Sequence, residues 1–133
     1  MSSDVAIYSA HDEIRLLLRG LLRLHRFRVV GEGSDPTALQ HAPGDASTVV
    51  VLDADLDEIG WLEGVHALRR ARPEMRIVLL SASGSPRIET HAKSLGIAAV
   101  VRRPFAVHHL IEAVNGSTPP PVDQKPPEGP VRP

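Results

Sequence analysis

Two short runs, Val49-Val50-Val51-Leu52 and Ile77-Val78-Leu79-Leu80, each hold four consecutive apolar residues with no polar residue interleaved. A strand with one wet face alternates in polarity. An unbroken run this short, rich in Val and Ile, suits a strand covered on both faces, as in a parallel sheet between helices. Between the two runs, Trp61 to Ala71 keeps helical spacing through Leu62, Val65 and Leu68 until Arg72-Pro73 breaks it. Strand, helix and strand in that order make a parallel crossover unit, and the Val49 strand is expected near the middle of the sheet.

The unit recurs along the chain. Val5-Ala6-Ile7-Tyr8 reads as a strand ending at Ser9, and Ile14, Leu17, Leu18, Leu21 and Leu22 then fall on one face of a helix. Phe27, Val29 and Val30 form a second strand, and Asp35-Pro36 is a helix cap followed by the proline favoured at a first helical position, with the helix running to about His41. Ser85-Pro86 opens a fourth helix that Gly96 closes. Ala98 to Val101 make a fifth strand, and Val107 to Val114 a last helix ended by Asn115-Gly116. Five strands alternating with five helices imply an α/β, doubly wound parallel sheet.

The 133 residues, 42% of them hydrophobic, suffice for one packed core. Fifteen basic and sixteen acidic residues leave no global charge to draw the chain to nucleic acid or an anionic membrane. The absence of cysteine excludes disulfides and thiolate metal sites, and suits a cytoplasmic protein. No signal peptide or spanning apolar segment is evident, so no membrane insertion is expected. Seven of the twelve prolines lie between Pro119 and Pro133. The expected division is a folded domain over 1–116 and a disordered, Pro-rich tail over 117–133.

Ligands and chemistry in doubly wound sheets gather at the carboxyl ends of the strands. Here those ends bring Asp53, Ser81 and Arg103-Pro104-Phe105 to one rim: a carboxylate, a hydroxyl and a cation. The succession Leu52-Asp53, Leu80-Ser81-Ala82 and Arg103-Pro104-Phe105, with Glu13-Ile14-Arg15 in the first helix, resembles the receiver domains of two-component response regulators, the CheY-like family, over residues 4 to 115. The resemblance implies a flavodoxin-like sheet in the order 2-1-3-4-5. It makes Asp53 the phosphoacceptor position, Ser81 and Arg103 the phosphoryl-contact positions, and Pro104 the residue after a cis peptide bond.

The departures from that family are informative. Ser9 and Ala10 stand where the family has an acidic pair that binds magnesium, which leaves Asp53 as the remaining side-chain ligand and only a weak site for Mg2+. Asp12 falls in the first helical turn, where a capping-box-like contact with Ser9 is expected. Arg103 replaces a lysine, and a planar guanidinium is suited to pairing with a carboxylate, so a standing Arg103–Asp53 ion pair is expected. Val100 occupies the position of a switch aromatic and carries no hydroxyl. Asp57 and Trp61 stand where the following loop usually has proline and glycine. Trp61 is either a core residue or an exposed partner contact.

The Arg15, Arg19, Arg23 and Arg26 stripe reads as a solvated helix face rather than a nucleic-acid surface. The seven histidines, including His108-His109, show no metal-ligand spacing. Ser9-Ala10-His11 is not a glycine-rich phosphate loop, which argues against a nucleotide-binding domain. The expected function is therefore that of a stand-alone atypical receiver, or pseudo-receiver, that is not an enzyme. It requires no cofactor and acts by phosphorylation-independent contact with a protein partner, a sensor kinase or downstream effector; a homodimer is allowed. Family output contacts map to His91, Lys93, Val100, Val101, Arg102 and His109. The alternative is a conventional regulator phosphorylated on Asp53 by a histidine kinase; a small-molecule-binding α/β domain ranks below both.

Overall fold

The computed structural model describes residues 3–56, 58–81 and 86–116. The expected roles of Asp57, Ala82 and Ser85, and of the tail, lie outside them. In chain order the elements are β1 (Ser3–Ser9), α1 (Asp12–Leu24), β2 (Phe27–Gly33), α2 (Pro36–Gln40), β3 (Val49–Asp53), α3 (Ile59–Ala71), β4 (Arg76–Ser81), α4 (Pro86–Ser94), β5 (Ala99–Arg102) and α5 (Val107–Asn115). The five strands form one parallel sheet in the order β2-β1-β3-β4-β5. As the unbroken apolar run at Val49 required, β3 is central and buried at every residue.

Alternate residues of each strand face opposite sides and build two cores on one sheet. Tyr8, Leu52 and Leu79 pack on one side with Leu39, Trp61 and Leu68. On the other, Ile7, Val51 and Leu80 pack with Leu18, Leu22 and Leu110. Local stereochemistry sets the helix ends. Asp35 caps α2, its side chain accepting from the Ala38 N–H at 2.9 Å, with Pro36 next. Gly96 after α4 and Gly116 after α5 take left-handed φ values of 71° and 79°, which a side chain resists.

Helix α1 departs from the sequence reading. Leu18 and Leu22 are fully buried, whereas Leu17 is 50% exposed and Leu21 only half-buried. Apolar periodicity marks a wide arc of a helix, but the sheet covers a narrower one, centred here on Leu18 and Leu22. Helix α3 begins at Ile59, two residues before the expected Trp61. Among the described residues, no helix is long and apolar enough to cross a membrane.

Candidate functional site

The β1–β3 register sets Ser9 beside Asp53. Both continue the face occupied by Val5 and Ile7 on one strand and Val49 and Val51 on the other, so the last layer of an apolar core is polar at the carboxyl rim. Asp53 is 3% exposed and Ser9 is fully buried. A carboxylate so placed needs partners for both oxygens. The Ser9 hydroxyl donates to Asp53 Oδ2 at 2.8 Å, and Arg103 Nη1 stands 3.4 Å from Oδ1. The Ser9 oxygen in turn accepts the His11 N–H at 3.0 Å.

Arg103 reaches this position because its own N–H donates to the Ser81 carbonyl at 2.9 Å, continuing the β4–β5 ladder past the end of β5. The Arg103–Pro104 peptide bond is cis. The ion pair expected from the sequence is present, but its geometry is a single contact rather than a fork. The Arg103 Nε is buried and has no hydrogen-bond partner among the described residues. Ser81, 4% exposed, stands at the same rim. Ala10, Asp53, Asp55, Glu58, Ser81 and Arg103 are among the residues lining a cavity of about 220 Å³ over the carboxylate.

Several expectations need correction. Of the two readings of Trp61 the structure bears out the core one: it is 5% exposed, packs in the core and lines the cavity. The exposed apolar side chain at the start of α3 is Ile59, at 71% exposure. The capping-box contact between Ser9 and Asp12 does not form, because α1 is capped at His11 and begins at Asp12, and the Ser9 hydroxyl oxygen accepts the His11 N–H instead. His11 is the N-cap of α1 without a side-chain cap bond, and Asp12 pairs with Arg15. Val101 is buried, unlike Lys93, Arg102 and His109, which are exposed. Val100 is half-buried against the core that contains Leu79.

Sequence reasoning missed Arg15 as a supporting residue. Its Nη1 donates to the Ser9 carbonyl at 2.8 Å while its Nη2 pairs with Asp12, so this member of the basic stripe braces the rim. The one local signal was the Asp12/Arg15 spacing of three, which puts both on one helix face. Arg19 is likewise engaged, 2.8 Å from Glu32, which leaves the stripe less charged than it reads.

A magnesium ion does not fit this donor set well. Of the rim positions beside Asp53, Ser9 offers a hydroxyl already donating and Ala10 a methyl. Both Asp53 oxygens face protein donors. Asp55 and Glu58 reach the cavity, yet among the described residues no three His, Cys, Asp or Glu side chains converge as a metal cluster.

Residues 5–115 match the response regulator receiver domain family. The chain is 21% identical over 116 residues to the chemotaxis protein CheY of Bacillus subtilis, an alignment covering 86% of this chain and 97% of that one. Among solved structures, the isolated receiver (REC) domain of RcsB from Salmonella enterica serovar Typhimurium, determined with the phosphomimetic BeF3−, superposes with a TM-score of 0.71 at 22% identity, covering 86% of this chain and 87% of that one. A LuxR-family DNA-binding response regulator from Staphylococcus aureus gives a TM-score of 0.74 at 18% identity, covering 86% and 98%.

Proposed function

Because this chain belongs to the response regulator receiver domain family, we propose that it is a signalling module of two-component type whose Asp53 position is held by protein groups. In this reading it acts by docking onto a protein partner, a sensor kinase or an effector, without being phosphorylated. The observation that carries the reading is the engagement of both Asp53 oxygens, by the Ser9 hydroxyl at 2.8 Å and Arg103 at 3.4 Å.

Phosphoryl transfer to a carboxylate needs a free oxygen aligned with phosphorus and cations that neutralise the charge on the equatorial oxygens. In this site the Asp53 carboxylate already faces the Arg103 guanidinium, so its charge is countered within the protein, although Asp55 and Glu58 also line the cavity. A hydroxyl and a methyl stand where magnesium would want anionic oxygens. Phosphorylation would have to break the Ser9 and Arg103 contacts without a well-bound metal in exchange. The receiver surface then remains constant in shape and serves as a docking face.

The test is intact-mass analysis after incubation with acetyl phosphate and magnesium. The native chain is expected to gain no phosphoryl mass, and the variant Ser9→Asp/Ala10→Asp/Arg103→Lys to gain one. A native chain that is labelled, with the label lost in Asp53→Ala, would establish the conventional phosphoacceptor instead. Thermal unfolding supplies a second readout. Magnesium is expected to raise the Tm of the triple variant through preferential binding to its folded state, and to leave the native Tm unchanged.

A further inference from the structure

Helix α1 buries Leu18 and Leu22 against the sheet and turns a second apolar surface outward. Leu16, Leu17 and Leu24 are 62%, 50% and 75% exposed, and they account for three of the five large apolar side chains exposed among the described residues. Glu13, Leu17, Gly20 and Leu24 recur at helical spacing along this outer face. Scattered exposed leucines need no explanation, but three on one face of one helix form a patch of the kind that marks an interface. Gly20 leaves a gap in its middle, since a Cβ there would meet no atom within 4 Å.

The charges at the ends of the patch identify the occupant. Its N-terminal end carries Glu13 and its last turn carries Arg23, and neither has an ion-pair partner among the described residues. We infer that this face pairs with the same face of a second copy of this chain, the two α1 helices running antiparallel about a two-fold axis. If Leu17 of each helix sits over Gly20 of the other, the axis passes between positions 18 and 19. Glu13 of one chain then lies level with Arg23 of the other to within one residue, roughly 1.5 Å of rise. Parallel pairing would set like charge against like. The missing Cβ at Gly20 lets the two backbones approach, and each Leu17 fills the gap. The patch is small for a stable interface, so the dimer is weak and forms in proportion to concentration. The inference does not depend on whether Asp53 accepts phosphate.

Sedimentation equilibrium of the whole chain over a range of concentrations tests this. The native chain is expected to shift from monomer to dimer as concentration rises, and Leu17→Glu to remain monomeric with an unchanged circular dichroism spectrum. Glu13→Arg should weaken association about tenfold, and Glu13→Arg/Arg23→Glu should recover most of that loss. Gly20→Ala, which favours the helix itself, should still weaken the dimer by holding the backbones apart. A native chain that stays monomeric overturns the inference. So does a dimer indifferent to Leu17→Glu and Gly20→Ala, a reversed pair weaker than the single reversal, or a face that binds only a different protein.

Discussion

Tyr8 and Gly33 are matched at atomic range: a Cβ at Gly33 would stand 2.8 Å from Tyr8 Cε1 and 2.5 Å from Ala38 Cβ. Gly33→Ala therefore overpacks this corner and is expected to cost about 1–3 kcal/mol in urea unfolding. The same burial pushes the Tyr8 phenol up to about 12 from its ordinary 10.0, because the phenolate would lose its hydration. The folded chain thus keeps a proton that the unfolded chain releases, so this contribution is whole below pH 10.0 and is lost as pH rises toward about 12. Stability should fall by up to roughly 1.4 kcal/mol per pH unit in that window, and Tyr8→Phe should remove this part of the slope in urea midpoints compared across it. At the rim, Ser9→Ala takes the hydroxyl from Asp53 Oδ2. That leaves a buried carboxylate oxygen short of a donor and is expected to cost about 1–3 kcal/mol by the same measurement.

Arginines tie the elements to one another through backbone carbonyls. Arg76, at the start of β4, donates from Nη1 to Val114 O and from Nη2 to Ala113 O, both at 3.1 Å, at the end of α5, where Ala113 O also accepts the Gly116 N–H at 3.2 Å. Arg69 of α3 reaches Leu95 O at 3.0 Å and Met75 O at 2.8 Å, pinning the end of α4 and the approach to β4. Arg76→Ala should therefore lower stability by about 1–3 kcal/mol, with the largest rise in amide hydrogen exchange in the last turn of α5. Arg28→Ala removes an exposed pair with Asp4 on the edge strand β2 and is expected to change stability little, since water and salt screen that contact. The difference between two guanidiniums of equal charge lies in what each would leave unpaired.

Across the whole molecule, the two cores share strands β1, β3, β4 and β5, so neither face can be lost without the other. Leu52→Ala on one side and Leu80→Ala on the other should each cost about 2–5 kcal/mol, while unfolding remains a single transition by both fluorescence and circular dichroism. Much of this architecture was legible in the residues. The unbroken runs at Val49 and Ile77 announced buried parallel strands, Asp35-Pro36, Gly96 and Gly116 marked helix ends, and strand-end placement gathered Asp53, Ser81 and Arg103 at one rim. These features rest on local stereochemistry and on periodicity within one element, both of which a linear chain displays. Other features required the assembled fold. The Ser9–Asp53 hydrogen bond joins residues 44 apart through strand register, Arg15 became a brace for the Ser9 carbonyl, Trp61 turned into the core, and Leu17 turned out of it. Each depends on how far one element is rotated or shifted against its neighbour, and packing sets that choice only when the neighbour is in place.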